Sequence, residues 1–152
     1  MSTIEFYYDS PMSTADELRS ETGRLSRMLV FTADQTKSHF ARSIVPLGIS
    51  VPAARALLSI TSATPMRELA KNLAWDPSYL TGLADELEAS GLVVRTTGSD
   101  RRVKVLELTA EGRAMRARIG EAVATDQPLS TRIDAADRAT LARILTQLLA
   151  DD

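Results

Sequence analysis

The stretch that decides the fold covers residues 76–112 and reads DPSYLTGLADELEASGLVVRTTGSDRRVKVLELTAEG. It opens on Asp76 followed by proline, a pair typical of a helix start, because the carboxylate caps free amides and proline fits the first helical position. We expect this helix to end just before Gly91, since glycine readily takes the left-handed conformation beyond a helix C-terminus. Two β-branched segments follow at 92–95 and 103–106, and the polar, glycine-bearing loop between them predicts a hairpin.

The residues before Asp76 predict two further helices. One begins after Ser50, which is followed by a proline two residues later, and the next begins at Thr64-Pro65. A tight turn at Ala74-Trp75 then leads into the helix that starts after Asp76. Two helices separated by a tight turn and followed directly by a hairpin are typical of a winged helix-turn-helix.

The outer parts of the chain predict long helices. A first helix runs from Thr14 to about Ile44, Thr109 caps a fifth, Pro128 interrupts the chain, and a sixth begins at about Asp134. The last helix carries apolar residues at the i, i+3, i+4, i+7, i+8 spacing of one helix face. Those residues are Leu141, Ile144, Leu145, Leu148 and Leu149. This stripe can cover the chain's own central part or a two-fold partner, and we favour the partner because long terminal helices leave more apolar surface than a compact monomer buries.

Composition excludes several function classes. The 152 residues are 44% hydrophobic and 25% charged, which is typical of a globular protein, and they contain no cysteine and a single histidine. Disulfides and thiolate metal sites are therefore excluded, and a multi-histidine metal site or a Ser-His-Asp triad is not expected. With no phosphate-cradling glycine loop either, we expect no enzyme and no cofactor. No apolar run approaches the roughly 18 residues of a membrane span and the first residues lack a signal-peptide pattern, so we expect a cytoplasmic protein without a membrane partner.

Positive charge is concentrated in the predicted hairpin, although the formal net charge of the chain is −2. Arg95, Arg101, Arg102 and Lys104 accompany only one acidic residue there, Asp100. Asp100 lies two residues from Arg102, so its carboxylate can hold that guanidinium in the direction of a narrow DNA minor groove, while the other cations contact phosphates. The alternative is a charged loop that merely keeps the hairpin soluble.

The helix after Asp76 has two different faces. One is apolar and is expected to pack on the core; it comprises Leu80, Leu83, Ala84 and Leu87. The opposite face comprises Ser78, Gly82, Asp85 and Ala89, and it is flanked by Tyr79 and Thr81. Its hydroxyls can contact bases or phosphates, and the glycine lets the backbone approach closely. The alternative is a solvated helix face with no ligand.

The order and spacing of the central residues resemble the signature of the MarR (multiple antibiotic resistance regulator) family. The resemblance covers residues 47–115. The residues that carry it are Leu69-Ala70, Leu73, Asp76-Pro77-Ser78, Thr81, Leu83, Leu87-Glu88, Gly91-Leu92-Val93, Arg95, Asp100-Arg101-Arg102, Leu108-Thr109 and Glu111-Gly112. In two positions the chain departs from the family's pattern: members often carry arginine where Gly82 stands, and a basic residue is common where Glu86 stands.

The resemblance implies a mainly α fold with a small β-hairpin wing and long terminal dimerisation helices. Residues 1–46 and 113–152 would form the helical dimerisation region, and residues 47–112 the winged helix-turn-helix that binds double-stranded DNA. The helix after Asp76 would be the recognition helix and Arg102 the wing residue. The protein would act as a homodimer on a near-palindromic operator, more commonly as a repressor than as an activator. A winged helix can also serve as a protein-interaction module with weak or no DNA binding, and this alternative stays open.

Many members of the family also bind a small aromatic effector between the dimerisation helices and the DNA-binding part. By this resemblance the candidate ligand-binding residues are His39, Phe40, Arg42 and Trp75. For two of them a structural role is the alternative: His39 as a hydrogen-bonded histidine and Trp75 as a core residue.

Overall fold

The computed structural model describes residues 14–98, 103–125 and 127–150, which are mainly helical with one small antiparallel sheet. By their contacts the residues form two compact units, one ending at Ser38 and the other beginning at His39. The elements are α1 (Thr14–Ile44), a 3-10 turn (Val45–Leu47), α2 (Val51–Ser59), β1 (Thr64–Pro65), α3 (Met66–Leu73), α4 (Pro77–Ala89), β2 (Val93–Thr97), β3 (Lys104–Leu108), α5 (Ala110–Ala124), α6 (Pro128–Thr131) and α7 (Ala135–Leu149). The predicted fold class, mainly α with a small hairpin wing, is confirmed.

Four helices begin at a polar side chain that accepts a hydrogen bond from a backbone N–H of the first turn. These caps are Ser50 for α2, Asp76 for α4, Thr109 for α5 and Asp134 for α7. Each bond satisfies a donor that the helix itself leaves free, and a cap of this kind contributes about 1 kcal/mol to stability. The predicted starts of these four helices are confirmed to within a residue or two.

The helices of the helix-turn-helix both end in a left-handed residue. Gly91, two residues after the end of α4, has φ of 71° as predicted, and Ala74, directly after the end of α3, has φ of 53°. The next residue, Trp75, donates its backbone N–H to the Ala70 carbonyl over 2.9 Å. This bond, which closes the end of α3, fixes the backbone of the tight turn before Asp76 starts α4.

The sheet contains one strand that the sequence did not predict. Thr64–Pro65, expected to open α3, instead pairs with β3 as the short strand β1, with Thr64 opposite Leu106, and α3 begins at Met66. The strand order is β1-β3-β2. A Thr-Pro pair suits a helix start and a short edge strand equally well, and the long-range pairing with β3 decides between them.

The hairpin strands lie one residue later than predicted at their starts and two residues later at their ends. They pair from Val93 opposite Leu108 to Thr97 opposite Lys104. The second strand begins at Lys104, and the carbonyl of the preceding Val103 accepts the Gly98 N–H over 2.9 Å at the base of the loop. Residues 99–102 lie outside the described part of the chain.

A single core in the second unit positions α4. The apolar face predicted for α4 is buried, with Leu80, Leu83, Ala84 and Leu87 each less than a tenth exposed. They belong to the same buried cluster as Leu57, Leu69, Leu106 and Ile119, from α2, α3, β3 and α5. Burying a leucine side chain contributes roughly 2 kcal/mol, so this face strongly fixes which side of α4 remains accessible.

The last helix keeps its apolar stripe exposed. None of the residues of α7 is buried, and the exposed fraction reaches 64% at Leu148 and 81% at Leu149. Pro128, expected only to interrupt the chain, stands in the first turn of the four-residue helix α6, because its fixed φ suits a helix start. The two-fold partner expected for α7 stays a prediction.

No single helix in the described part of the chain is long and apolar enough to cross a membrane. Only a pair of helices bent by 96°, residues Asp16–Leu47 with Val51–Ser59, meets that requirement on length and composition.

Candidate nucleic-acid interface

The N-terminal half of α4 presents the predicted polar face. Ser78, Tyr79, Thr81 and Gly82 are all exposed, on the side opposite the buried leucines. A β-carbon added at Gly82 would have no other atom within 4 Å, so the surface there is open. The exposed residues extend over little more than one turn of the helix.

Of the three hydroxyls on this face, those of Ser78 and Thr81 donate to the protein itself. Ser78 donates its hydroxyl to a carboxylate oxygen of Asp76, and Thr81 donates to the Pro77 carbonyl over 2.9 Å. Because the proton of each hydroxyl is used in these bonds, each oxygen is left as an acceptor, the pattern suited to an adenine or cytosine amino group rather than to a phosphate. The hydroxyl of Ser78, with the backbone N–H groups of Ser78 and Tyr79, lowers the pKa of Asp76 below its ordinary value of 3.8.

Arg95 ties the hairpin to α4. From β2, its Nη2 donates to the Thr81 carbonyl over 2.9 Å and lies 2.6 Å from the Asp85 carboxylate, while its Nε lies 3.8 Å from Glu88. The backbone N–H of Arg95 also donates to Glu88 over 3.1 Å. The guanidinium of Arg95 is therefore engaged by two carboxylates of α4, and the phosphate contact expected for Arg95 stays a prediction.

The second half of α4 is acidic. Asp85 and Glu88 share Arg95, whereas Glu86 is exposed and its carboxylate has no hydrogen bond or ion pair with the described residues. Glu86 lines an open groove of about 420 Å³ between the start of α2 and α4, and Tyr79 and Gly82 line the same groove. A phosphate approaching there would meet the Glu86 charge, so the position that departs from the family's pattern disfavours binding to DNA backbone.

The indole of Trp75, in the turn before α4, contacts one side chain from α2 and one from α4. The Arg55 guanidinium carbon stands 5.1 Å from the centroid of the indole ring, and the Tyr79 ring meets the indole edge-on, with centroids 5.5 Å apart and planes at 85°. Trp75 is half-buried and packs against the core, as the structural alternative for this residue expected. Sequence reasoning missed Arg55, because nothing in the local pattern relates it to a tryptophan twenty residues later.

Only part of the predicted wing lies among the described residues. Lys104 is exposed at the start of β3, opposite Thr97. Asp100, Arg101 and Arg102 lie outside the described residues, and their contacts with DNA stay predictions.

The remaining ligand-binding candidates lie at the end of α1. The Nε2 of His39 is 3.2 Å from the Val123 carbonyl of α5 and 3.2 Å from the Ser43 hydroxyl. Phe40 packs against the core and Arg42 is exposed. Two cavities formed by described residues are lined by other side chains, and a ligand site at His39, Phe40 and Arg42 stays a prediction.

Comparisons with known proteins address the fold directly. No family model matches the sequence, and no curated protein matches it either. Solved structures do match. The apo form of wild-type MarR from E. coli is 27% identical to this chain, with a TM-score of 0.68. The match covers 83% of this chain and 97% of the MarR chain. The chain has the MarR-family fold. Within this fold, α3 and α4 form the helix-turn-helix and the hairpin of β2 and β3 forms the wing.

Two further MarR-family matches are complexes with DNA. A mutant MarR from E. coli complexed with operator DNA is 27% identical, with 86% of this chain and 96% of that chain covered and a TM-score of 0.69. The transcriptional repressor CouR, bound to a 23-mer DNA duplex, is 25% identical, with 93% of this chain and all of that chain covered and a TM-score of 0.68. Each match spans nearly the full length of the known protein.

Proposed function

We propose that this MarR-family chain is a transcription regulator that binds double-stranded DNA sequence-specifically as a homodimer. The observation that carries the proposal is the orientation of α4. Its apolar face is buried in the core, and its polar face, with Ser78, Tyr79 and Thr81, is exposed beside the hairpin. A helix held in this way can enter a major groove and present its first turns to base edges. The complexes of MarR and CouR with DNA support the same interpretation.

The terminal helices support the homodimer. An exposed apolar stripe such as that of α7 is unfavourable in water, and a symmetric dimer buries the same stripe on both subunits. Two copies of α4 related by a two-fold axis would then reach successive major grooves about 34 Å apart on a near-palindromic operator. Arg102 of each wing would enter the adjacent minor groove, while Arg101 and Lys104 would contact phosphates.

The regulatory outcome that we propose is repression in the cytoplasm, by blocking access of the polymerase. Release would follow binding of a small aromatic effector near His39, Phe40 and Arg42, at the end of α1. These finer points follow from the resemblance to the family, and they are separable from DNA binding itself.

The test is fluorescence anisotropy of the purified protein with the DNA immediately upstream of its coding region, compared with random duplex across a salt series. We expect binding tighter than to random duplex by about three orders of magnitude. Lys104→Ala should weaken binding to both duplexes and lower the slope of log affinity against log salt by about 0.9 for each phosphate that the lysine neutralises. Sedimentation in the same buffer should show a dimer, and a monomer at micromolar concentration would contradict the two-fold arrangement.

A second candidate function is a protein-interaction module, which the acidic half of α4 favours. Asp85, Glu86 and Glu88 place three carboxylates on the helix, and only Arg95 of the described residues pairs with any of them. A surface of this kind suits a basic protein partner better than DNA. Absence of binding to any duplex at low salt would support this alternative over the regulator.

A further inference from the structure

The cluster of Arg55, Trp75 and Tyr79 is built on a fixed backbone. Trp75 is the only tryptophan of the chain, and its position is set by the hydrogen bond from its N–H to the Ala70 carbonyl and by packing of the indole on the core. The guanidinium of Arg55 and the indole lie within the roughly 6 Å over which a cation and an aromatic face attract. The indole is therefore held both by the cation from α2 and by the turn that carries it.

Tyr79 rests on this held indole. Edge-on packing at a centroid distance of 5.5 Å is a favoured geometry for two aromatic rings, so it restricts the direction of the Tyr79 side chain. Even so, Tyr79 stays 48% exposed, at the third position of α4. A large apolar ring is thus presented outward in one direction before any ligand binds, which lowers the entropy cost of using it in recognition.

The composition of α4 limits what it can read. The helix sequence PSYLTGLADELEA contains no arginine, lysine, asparagine or glutamine. Bidentate reading of guanine by a cation, or of adenine by an amide, is therefore impossible for α4. What remains is acceptance from amino groups by hydroxyls and carboxylates, and apolar contact with the methyl group of thymine, for which the Tyr79 ring is the largest exposed surface.

We infer that Tyr79 is a specificity-determining residue that reads a thymine methyl group, and that Trp75 and Arg55 are positioning residues that set the direction of its ring. The inference rests on the proposed function, since it specifies what α4 recognises in the DNA. It assigns to Trp75 a role different from the ligand contact that the family resemblance implies.

The test uses deoxyuridine, which differs from thymidine only by the methyl group. A duplex that the wild-type protein selects from a randomised pool is prepared with each thymine replaced in turn, and affinities are measured by anisotropy. We expect one position in each half-site where loss of the methyl group weakens binding about fourfold, the value of one buried carbon group. Tyr79→Phe should keep this methyl effect, and Tyr79→Ala should abolish it.

The positioning residues have their own readouts. Trp75→Leu and Arg55→Ala should reduce the methyl effect while leaving affinity for random duplex within about twofold, whereas Arg55→Lys, which keeps a cation over the indole, should retain the effect. A purely structural role would instead weaken binding to all duplexes equally. In the free protein, Arg55→Ala should change the fluorescence emission of Trp75. An unchanged emission spectrum would contradict the contact between the Arg55 guanidinium and the indole.

Failure of the inference and failure of the proposed function can be told apart. Specific binding with a methyl effect that survives Tyr79→Ala removes the inference alone. Loss of discrimination at cytosine positions on Glu86→Gln, with no thymine effect at all, would show that a carboxylate reads the sequence and would also overturn it. Absence of specific binding by the wild-type protein removes the proposed function and the inference with it.

Discussion

Replacing Gly82 by arginine should raise the free energy of unfolding and strengthen the salt dependence of DNA binding, and the structure gives a magnitude for each effect. Gly82 lies inside α4 on its exposed face, and a β-carbon at this position would meet no other atom within 4 Å. Glycine costs a helix interior about 1 kcal/mol relative to alanine, whereas arginine is close to alanine. Gly82→Arg should therefore raise the free energy of unfolding by roughly 0.8 kcal/mol, and Tm by about 2–3 °C for a protein of this size.

The same substitution adds one cation at the groove where Glu86 stands. If α4 enters a major groove, the new guanidinium reaches a guanine edge or a phosphate, and the slope of log affinity against log salt should steepen by about 0.9 per phosphate neutralised. Gly82→Ala is the matched control, because it gives the gain in helix stability without the charge. Urea unfolding and a salt series by anisotropy measure the two effects separately.

Two results would refute the reasoning. No gain in stability for either variant would mean that the helix at Gly82 is not open as described. A gain in stability with affinity and salt dependence both identical for Gly82→Arg and Gly82→Ala would mean that this face of α4 does not approach DNA.

Three further predictions concern the frame around α4. Arg95→Leu should lower the free energy of unfolding in urea by about 1 kcal/mol, because one hydrogen bond to a carbonyl and two partly exposed ion pairs are removed. The same change should weaken operator binding, since the wing is then held less firmly against α4. An unchanged free energy of unfolding would contradict the contact between Arg95 and α4. Ala74→Gly should stabilise by about 1 kcal/mol, since a left-handed residue with a β-carbon is strained, and no gain would show that this turn bears no strain. The pKa of Asp76 is lowered in the folded state, so its negative charge stabilises the fold above pH 3.8, and this contribution is lost as the pH falls through the lower folded pKa. The difference in free energy of unfolding between wild type and Asp76→Asn, measured in urea, should therefore shrink between pH 6 and pH 3. A difference that stays constant over this range would contradict the prediction.

Local chemistry made much of the fold predictable. The caps at Ser50, Asp76 and Thr109, and the left-handed Gly91, act within a few residues of themselves, so the sequence specifies them directly. The spacing of buried leucines likewise indicated which face of α4 packs. Thr64–Pro65 escaped prediction because its strand exists only through pairing with β3, some forty residues later.

The site was less predictable, since its contacts join different elements. Arg95 looks like a free cation in a basic hairpin, and only the folded chain shows that Asp85 and Glu88 face it across the turn at Gly91. The contact of Arg55 with the indole likewise depends on how α2 packs beside the helix-turn-helix. Side-chain types could be chosen from the sequence, but the partners of each charge could not.

The exposed face of α4 is the element that we propose reads DNA sequence. The most direct measurement is the ratio of affinities for a selected duplex and for random duplex, compared between wild type and a variant carrying Ser78→Ala, Tyr79→Ala and Thr81→Ala, which leaves the buried face and the wing intact. We expect a ratio of about a thousand for wild type and a ratio near one for the variant, with binding to random duplex retained. A variant that keeps the wild-type ratio would contradict the proposal that α4 is the reading element.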